Sequence, residues 1–169
     1  MTAAQQVVVR TLSATDAGAL LAFELANRAW FERHIAPRDP AFYTPAGVAA
    51  HIDDYLAGLA TGTWHPFVLV DVDGTIVGRA NLKDIDQAAR SAEVGYRVAE
   101  QACGRGLATL ALRHLVRAAG ARWRLQRLDA FVYPANVGSR RVLARCGFVA
   151  QPAQAGTAEQ RFTLVVTPT

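Results

Sequence analysis

The sequence predicts an α/β fold: one mixed, mostly antiparallel sheet with helices packed on its faces. Three stretches carry the prediction. Residues 67–98 hold three apolar, β-branched runs joined by short polar turns, which is a meander. Residues 101–109 break that pattern with two glycines, Gly104 and Gly106, at the mouth of an apolar run with helical spacing. From residue 125 a strand, a helix and further strands follow in alternation.

Composition narrows the class. A chain of 169 residues can bury a real core, and residues 1–169 read as a single domain without repeats, low-complexity segments or a dividing linker. Hydrophobic residues at 51% against charged residues at 19% argue against disorder. No apolar run approaches the roughly 20 residues that cross a bilayer. The first six residues lack the charged start and apolar centre of a signal peptide, so a cytoplasmic location is expected. Cys103 and Cys146 have neither CxxC nor metal-ligand spacing, so neither a metal nor a disulfide is expected. Of the basic residues only Lys83 is a lysine, and the net charge of +4 suits a phosphate-bearing ligand or an acidic partner. The arginine-rich run 117–127 reads as the solvated end of a helix rather than as a nucleic-acid patch.

Element by element, residues 7–12 are a first strand. Ser13 and Asp16 then form a capping box at the start of a helix carrying Leu20, Leu21, Phe23, Leu25 and Trp30. Pro37 and Pro40 punctuate a loop over residues 34–44 that Pro45 closes, and its Phe42-Tyr43 pair is a candidate pocket lining. Thr44 followed by Pro45 starts a second helix that stops at Gly62. Strands at 67–72 and 75–82 flank the hairpin signal Asp73-Gly74. Residues 83–90 read as a polar turn, and 91–98 as the third strand of the meander. An amphipathic helix follows the glycines to about Gly120. A strand at 125–133, a helix at 136–145, a strand start at 147–149 and a closing strand at 160–166 complete the chain. That closing strand leaves pairing between two subunits, and hence a homodimer, open.

The glycine turn is the chemically distinctive feature. A strand, a turn free of side chains and a helix N-terminus together form an anion cradle of backbone N–H groups. A P-loop reading fails because no GxxxxGK[ST] is present. The run Gly104-Arg-Gly106-Leu-Ala-Thr109 nearly matches a dinucleotide fingerprint, but that motif belongs at the first turn of a βαβ unit and here a meander precedes it. Cys103 inside the turn has no recognisable His–Asn or His–Asp support for a nucleophilic role, so it reads as a small side chain packed in a tight turn.

Taken together, Gln101-Ala-Cys-Gly104-Arg-Gly106 and the later Asn136-Val-Gly-Ser139 ahead of Gly147-Phe148 resemble the two conserved regions of the GNAT superfamily of acyl-CoA N-acyltransferases. Glu93-Val-Gly-Tyr96, Asn-x-x-Ser and the early Asn27 and Trp30 are similar to its ribosomal-protein N-terminal acetyltransferase (RimJ/RimL-like) branch. The resemblance spans residues 7–166. It implies acetyl-CoA as donor, held through backbone groups of Tyr96 and Val98 and by the turn around Gln101, Gly104, Arg105, Gly106, Leu107 and Ala108. Asn136 would bond the pantetheine arm, and Ser139 would lie near the sulfur as a candidate catalytic residue that donates a hydrogen bond to it. Glu93 becomes the candidate base, acting through water, with a strand-edge salt bridge as the alternative reading. Leu143 departs from the family, which often places a tyrosine there as general acid.

Acceptor chemistry is less defined. An α-amine of pKa about 8 is appreciably neutral near pH 7, whereas only on the order of one lysine in a thousand is, so a site without a strong base suits an α-amine. The acceptor expected is therefore a protein or peptide N-terminus, with Asn27, Trp30, Phe42, Tyr43 and Lys83 lining its pocket. A small amine (aminoglycoside, polyamine or amino acid) and a CoA-binding sensor without turnover are the alternatives. Acidic residues Asp84, Asp86 and Glu93 point weakly to cationic amines. Neither a membrane nor a nucleic acid is expected as a partner.

Overall fold

The computed structural model describes residues 6–168. The expectation for the N-terminal stretch therefore lies almost wholly outside the described residues. Seven strands form one sheet: β1 (Val8–Thr11), β2 (His65–Val70), β3 (Ile76–Asp86), β4 (Ser91–Val98), β5 (Arg127–Val132), β6 (Val149–Ala150) and β7 (Gln160–Val165). Their order is β1-β2-β3-β4-β5-β7-β6. All neighbouring pairs are antiparallel except β4 and β5, which run parallel and are joined by the crossover helix α4 (Leu107–Ala121).

Two apolar clusters sit on opposite faces of this sheet. α4 presents Leu107, Ala111, Leu112 and Leu115 to Leu69, Leu82, Ala92 and Val94, and α5 (Val137–Arg145) adds Leu143 to the same core. On the other face α1 (Ala17–Ala26) and α3 (Pro45–Thr61) bury Leu20, Phe23, Val48 and Ile52 against Val68 and Ile76. Local signals act where the sequence places them. Asp16 and Ser13 close a reciprocal capping box, although the turn that it opens is 3-10 before α1 begins. Thr44 caps α3 with Pro45 in its first turn, and Gly62 ends it in the left-handed conformation.

Three expectations change. The first helix is not continuous: α1 ends at Ala26 and a short helix, α2 (Arg28–Phe31), follows. Asn27 sits at the break, with its side-chain amide turned back to the Phe23 carbonyl at 2.8 Å. Residues 83–90 are not all turn, because β3 continues to Asp86 and pairs Lys83 with Glu93. The polar run hides one core residue, Ile85, which is buried because the register shifts between Lys83 and Asp86, with Asp84 at φ +47°, and turns it back to the core. Finally, β7 is not an edge strand but lies between β5 and β6, although β6 pairs only with its Phe162 and Thr163. The sheet edges among the described residues are β1 and the two-residue β6.

Candidate active site

β4 and β5 pair only from Ser91 to Glu93 against Arg127 to Asp129, and then separate. β4 nevertheless continues to Val98 and β5 to Val132, leaving a wedge between them. The Ala99 N–H donates to the Val77 carbonyl at 2.9 Å, which fixes the alternation along β4. Residues 95 and 97 therefore direct their backbone groups to β3, and Val94, Tyr96 and Val98 direct theirs into the wedge. A cleft of about 780 Å³ runs through this opening.

One end of the cleft is the glycine turn. Gly104 and Gly106 both line it, with φ of +77° and +76°, a region that L side chains avoid. Gly106 is the N-cap of α4 and supplies no side-chain cap, so the N–H groups of the first helical turn have no capping oxygen. Leu107 and Thr109 in that turn are buried, and bare N–H groups at a buried helix start are an anion site. Asn27 braces the turn from behind: its Oδ1 accepts from the Glu100 N–H at 2.9 Å. Both polar atoms of Asn27 are thus engaged, and it does not line the cleft.

At the middle of the wedge the Tyr96 hydroxyl lies 2.9 Å from Ser139 Oγ, joining β4 to the third residue of α5. Burial pushes the Tyr96 phenol up to about 12, so it stays protonated near neutrality. Asn136 caps α5, with Oδ1 accepting from the Ser139 N–H at 3.2 Å, and this leaves its Nδ2 to donate elsewhere. On the opposite face of β4, Glu93 forms a 2.6 Å ion pair with Lys83. Gly95 makes room for that lysine, since a Cβ there would stand 3.2 Å from Lys83 Cε.

Beyond Glu93 the cleft opens between the sheet and α1–α3, lined by Trp30, Phe31, His34, Arg38, Tyr55, Trp64, Arg79 and Arg97. Behind them is Glu24, only 1% exposed, bound to Arg79 Nη1 at 2.7 Å and to Arg97 Nη1 at 3.5 Å. His51 Nε2 accepts from Arg79 Nη2 at 2.7 Å, and burial beside these cations holds His51 down at about 3, hence neutral.

The structure therefore brings together Glu93, Tyr96, Val98, Gly104, Gly106, Leu107, Ala108, Asn136 and Ser139, with Trp30 and Lys83 lining the same cleft. It does not bring in Phe42 and Tyr43, which pack on His51 and under Arg28, nor Gln101 and Arg105, which are exposed outside the cleft. Cys103 is exposed at the cleft rather than packed, and its thiol is pushed up by partial burial and by Glu100, which disfavours thiolate. Asp84 and Asp86 do not line the cleft. Sequence reasoning missed the Glu24, Arg38, Arg79 and Arg97 group, and it named Tyr96 and Ser139 without their mutual contact. Only the strand register, which sets Arg79 opposite Arg97, joins residues so far apart in the chain.

A wedge of unpaired strand groups leading to a bare helix N-terminus, with hydroxyls at its centre, defines an acyltransferase. The chain belongs to the GNAT acetyltransferase family: the profile described as "Acetyltransferase (GNAT) domain" matches residues 6–149. It is 33% identical over 144 residues to "Probable N-acetyltransferase YjcK" of Bacillus subtilis, covering 84% of this chain and 80% of that one. Among solved structures, a ribosomal-protein-S5-alanine acetyltransferase from Vibrio fischeri superposes with a TM-score of 0.87 at 23% identity, over 95% of this chain and 93% of that one. Mycobacterium smegmatis RimJ in complex with CoA-disulfide gives 0.83 at 27% identity, over 94% and 81%.

Proposed function

We propose that this acetyltransferase moves the acetyl group of acetyl-CoA directly onto a protein or peptide N-terminal α-amine. A CoA species in the related RimJ structure and the fit of the wedge to an extended, phosphate-ended ligand support acetyl-CoA as donor. The backbone groups of Tyr96 and Val98 align the pantetheine arm, and Asn136 adds its free Nδ2. The first-turn N–H groups of α4 take the pyrophosphate. An N–H in the wedge polarises the thioester carbonyl as the amine nitrogen attacks. The carbon–sulfur bond then breaks, and the sulfur leaves beside Tyr96 and Ser139. A thiol of pKa about 8.5 is a stronger acid than a phenol near 12, so these hydroxyls stabilise the thiolate by hydrogen bonding rather than by full proton transfer. The proton released by the amine passes through water to Glu93.

The observation that carries the acceptor class is the Lys83–Glu93 pair. Glu93 is already engaged with the Lys83 ammonium at 2.6 Å, and carboxylates as a class are far weaker bases than amines, so the amine has to arrive partly neutral. An α-amine meets that condition and a lysine side chain does not. The test is CoA release from acetyl-CoA with short peptides bearing free Ala, Ser or Met N-termini, set against polyamines and aminoglycosides. Turnover with peptides alone is expected; turnover with the small amines alone would replace the acceptor class. Glu93→Gln should lower the rate while leaving acetyl-CoA affinity in place, and an unchanged rate would reduce Glu93 to a partner of Lys83.

A further inference from the structure

Three guanidiniums converge on the acceptor end of the cleft, and a single carboxylate answers them. Arg79 spends its donors on Glu24 and His51 and is 3% exposed. Arg97 and Arg38 approach Glu24 only at 3.5 and 4.0 Å, and neither completes a hydrogen bond among the described residues. Arg38 Nε is buried and is the one such side-chain atom among the described residues without a partner. With His51 neutral and Lys83 matched by Glu93, the group retains the charge of two guanidiniums.

Such an excess is costly in a half-buried pocket. Unpaired charges and orphaned N–H donors lose hydration that nothing inside the protein restores. Aromatic rings hold two of the guanidiniums in place: Arg97 lies over Phe31 at 4.9 Å and Arg38 over Phe42 at 4.5 Å. Both side chains keep about a quarter of their surface open to the cleft, at 24% and 23%. A planar fork, pinned by a ring and short of acceptors, is suited to a carboxylate or a phosphate. The donor's own phosphates do not meet this need. Arg79 and Arg97 sit on the sheet face covered by α1 and α3, whereas the glycine turn opens on the side of α4.

Resting on the N-acetyltransferase reading above, we propose that the acceptor carries an anionic group close to its amine, a carboxylate or phosphate, and that Arg38 and Arg97 bind it. Arg79 and Glu24 are positioning residues for this site. Cationic amines such as polyamines are disfavoured by the same charges. An acidic side chain just after a peptide N-terminus, the α-carboxylate of a free amino acid and a phosphate ester of a small amine are the sources of that chemistry.

Matched acceptor pairs that differ by one anionic group test it. The panel is Ala-Asp- against Ala-Asn- peptides, glycine against glycinamide, and phosphoethanolamine against ethanolamine, each followed by CoA release. The charged member of at least one pair should show a KM at least tenfold lower. Arg97→Gln and Arg38→Gln should shrink that gap below about threefold, Arg97→Lys should restore part of it, and the Kd for acetyl-CoA should stay within twofold, which also reports folding. Preference for the charged small amines but not for the acidic peptide would uphold the anion site and overturn the peptide reading. Equal or better use of the neutral member in every pair would overturn the anion site while peptide turnover still upheld the α-amine reading. Tight acetyl-CoA binding without turnover of any acceptor would overturn both.

Discussion

At the edge of β4, toward α4, the groups offered to a ligand are backbone amides, and on the face toward α1 and α3 they are side-chain guanidiniums. The donor side is made by what strands and helix ends leave unpaired: the separation of β4 from β5 after Glu93, and the bare start of α4 at Gly106. The acceptor side is made by charges carried in from α1, β3, β4 and the loop at Arg38, gathered around a buried Glu24. A backbone site needs only the fold, so it serves any chain that keeps the wedge. A side-chain site depends on which residues meet, so on the proposed reading acceptor specificity belongs to the second face.

The largest expected effect breaks the acceptor side alone. Glu24→Ala removes the carboxylate that, among the described residues, pairs with all three guanidiniums, and stranding buried charge should cost about 3–5 kcal/mol of stability, measured by urea unfolding. On the donor side, Gly106→Val forces a β-branched residue to φ +76° and displaces the first-turn amides. Losing about two charge-assisted hydrogen bonds should weaken acetyl-CoA by about a hundredfold in calorimetric titration. Tyr96→Phe sharpens the comparison at the seam between the faces. Removal of one hydroxyl from the pair with Ser139 should reduce turnover about tenfold, with acetyl-CoA affinity little changed.

Smaller effects separate fold from site. His65 accepts from Trp123 Nε1 at its Nδ1 and faces Thr11 through Nε2, and burial holds it near 4, as burial and nearby arginines hold His51 near 3. Both folded values lie below the unfolded 6.5. The stability that they support is therefore complete above about pH 6.5 and falls as pH drops below it, because the unfolded chain binds the extra protons. Thermal midpoints from pH 7 to 4.5 should decline, and His65→Phe should flatten part of that decline. Lys83→Met, which opens a pair whose side chains are each about a quarter exposed, should change stability by less than about 1 kcal/mol in the same assay.

The difference between the faces also explains what the sequence could reveal. The donor side is written in local order: glycines that open a helix at Gly104 and Gly106, and an N-capping Asn136 followed by Ser139. Short-range rules read such patterns directly, as they read the caps at Ser13 and Thr44. The acceptor side is not local. Glu24, Arg38, Arg79 and Arg97 are far apart in the chain and meet only once the β3–β4 register and the docking of α1 exist. Asn27 shows the converse. Its place in the pattern suggested an acceptor contact, but burial turned both of its polar atoms to the backbone. Lys83 and Asp86 looked like turn residues because polarity concealed that Ile85 between them returns to the core.

Binding of acetyl-CoA to the wild-type chain, Gly106→Val and Arg97→Gln, followed by calorimetry, tests the division of labour most directly. Tight binding by the wild type and by Arg97→Gln, with the Gly106 variant about a hundredfold weaker, is the predicted result. Equal loss in both variants, or undiminished binding by Gly106→Val, would contradict the assignment of donor and acceptor to different sides of β4.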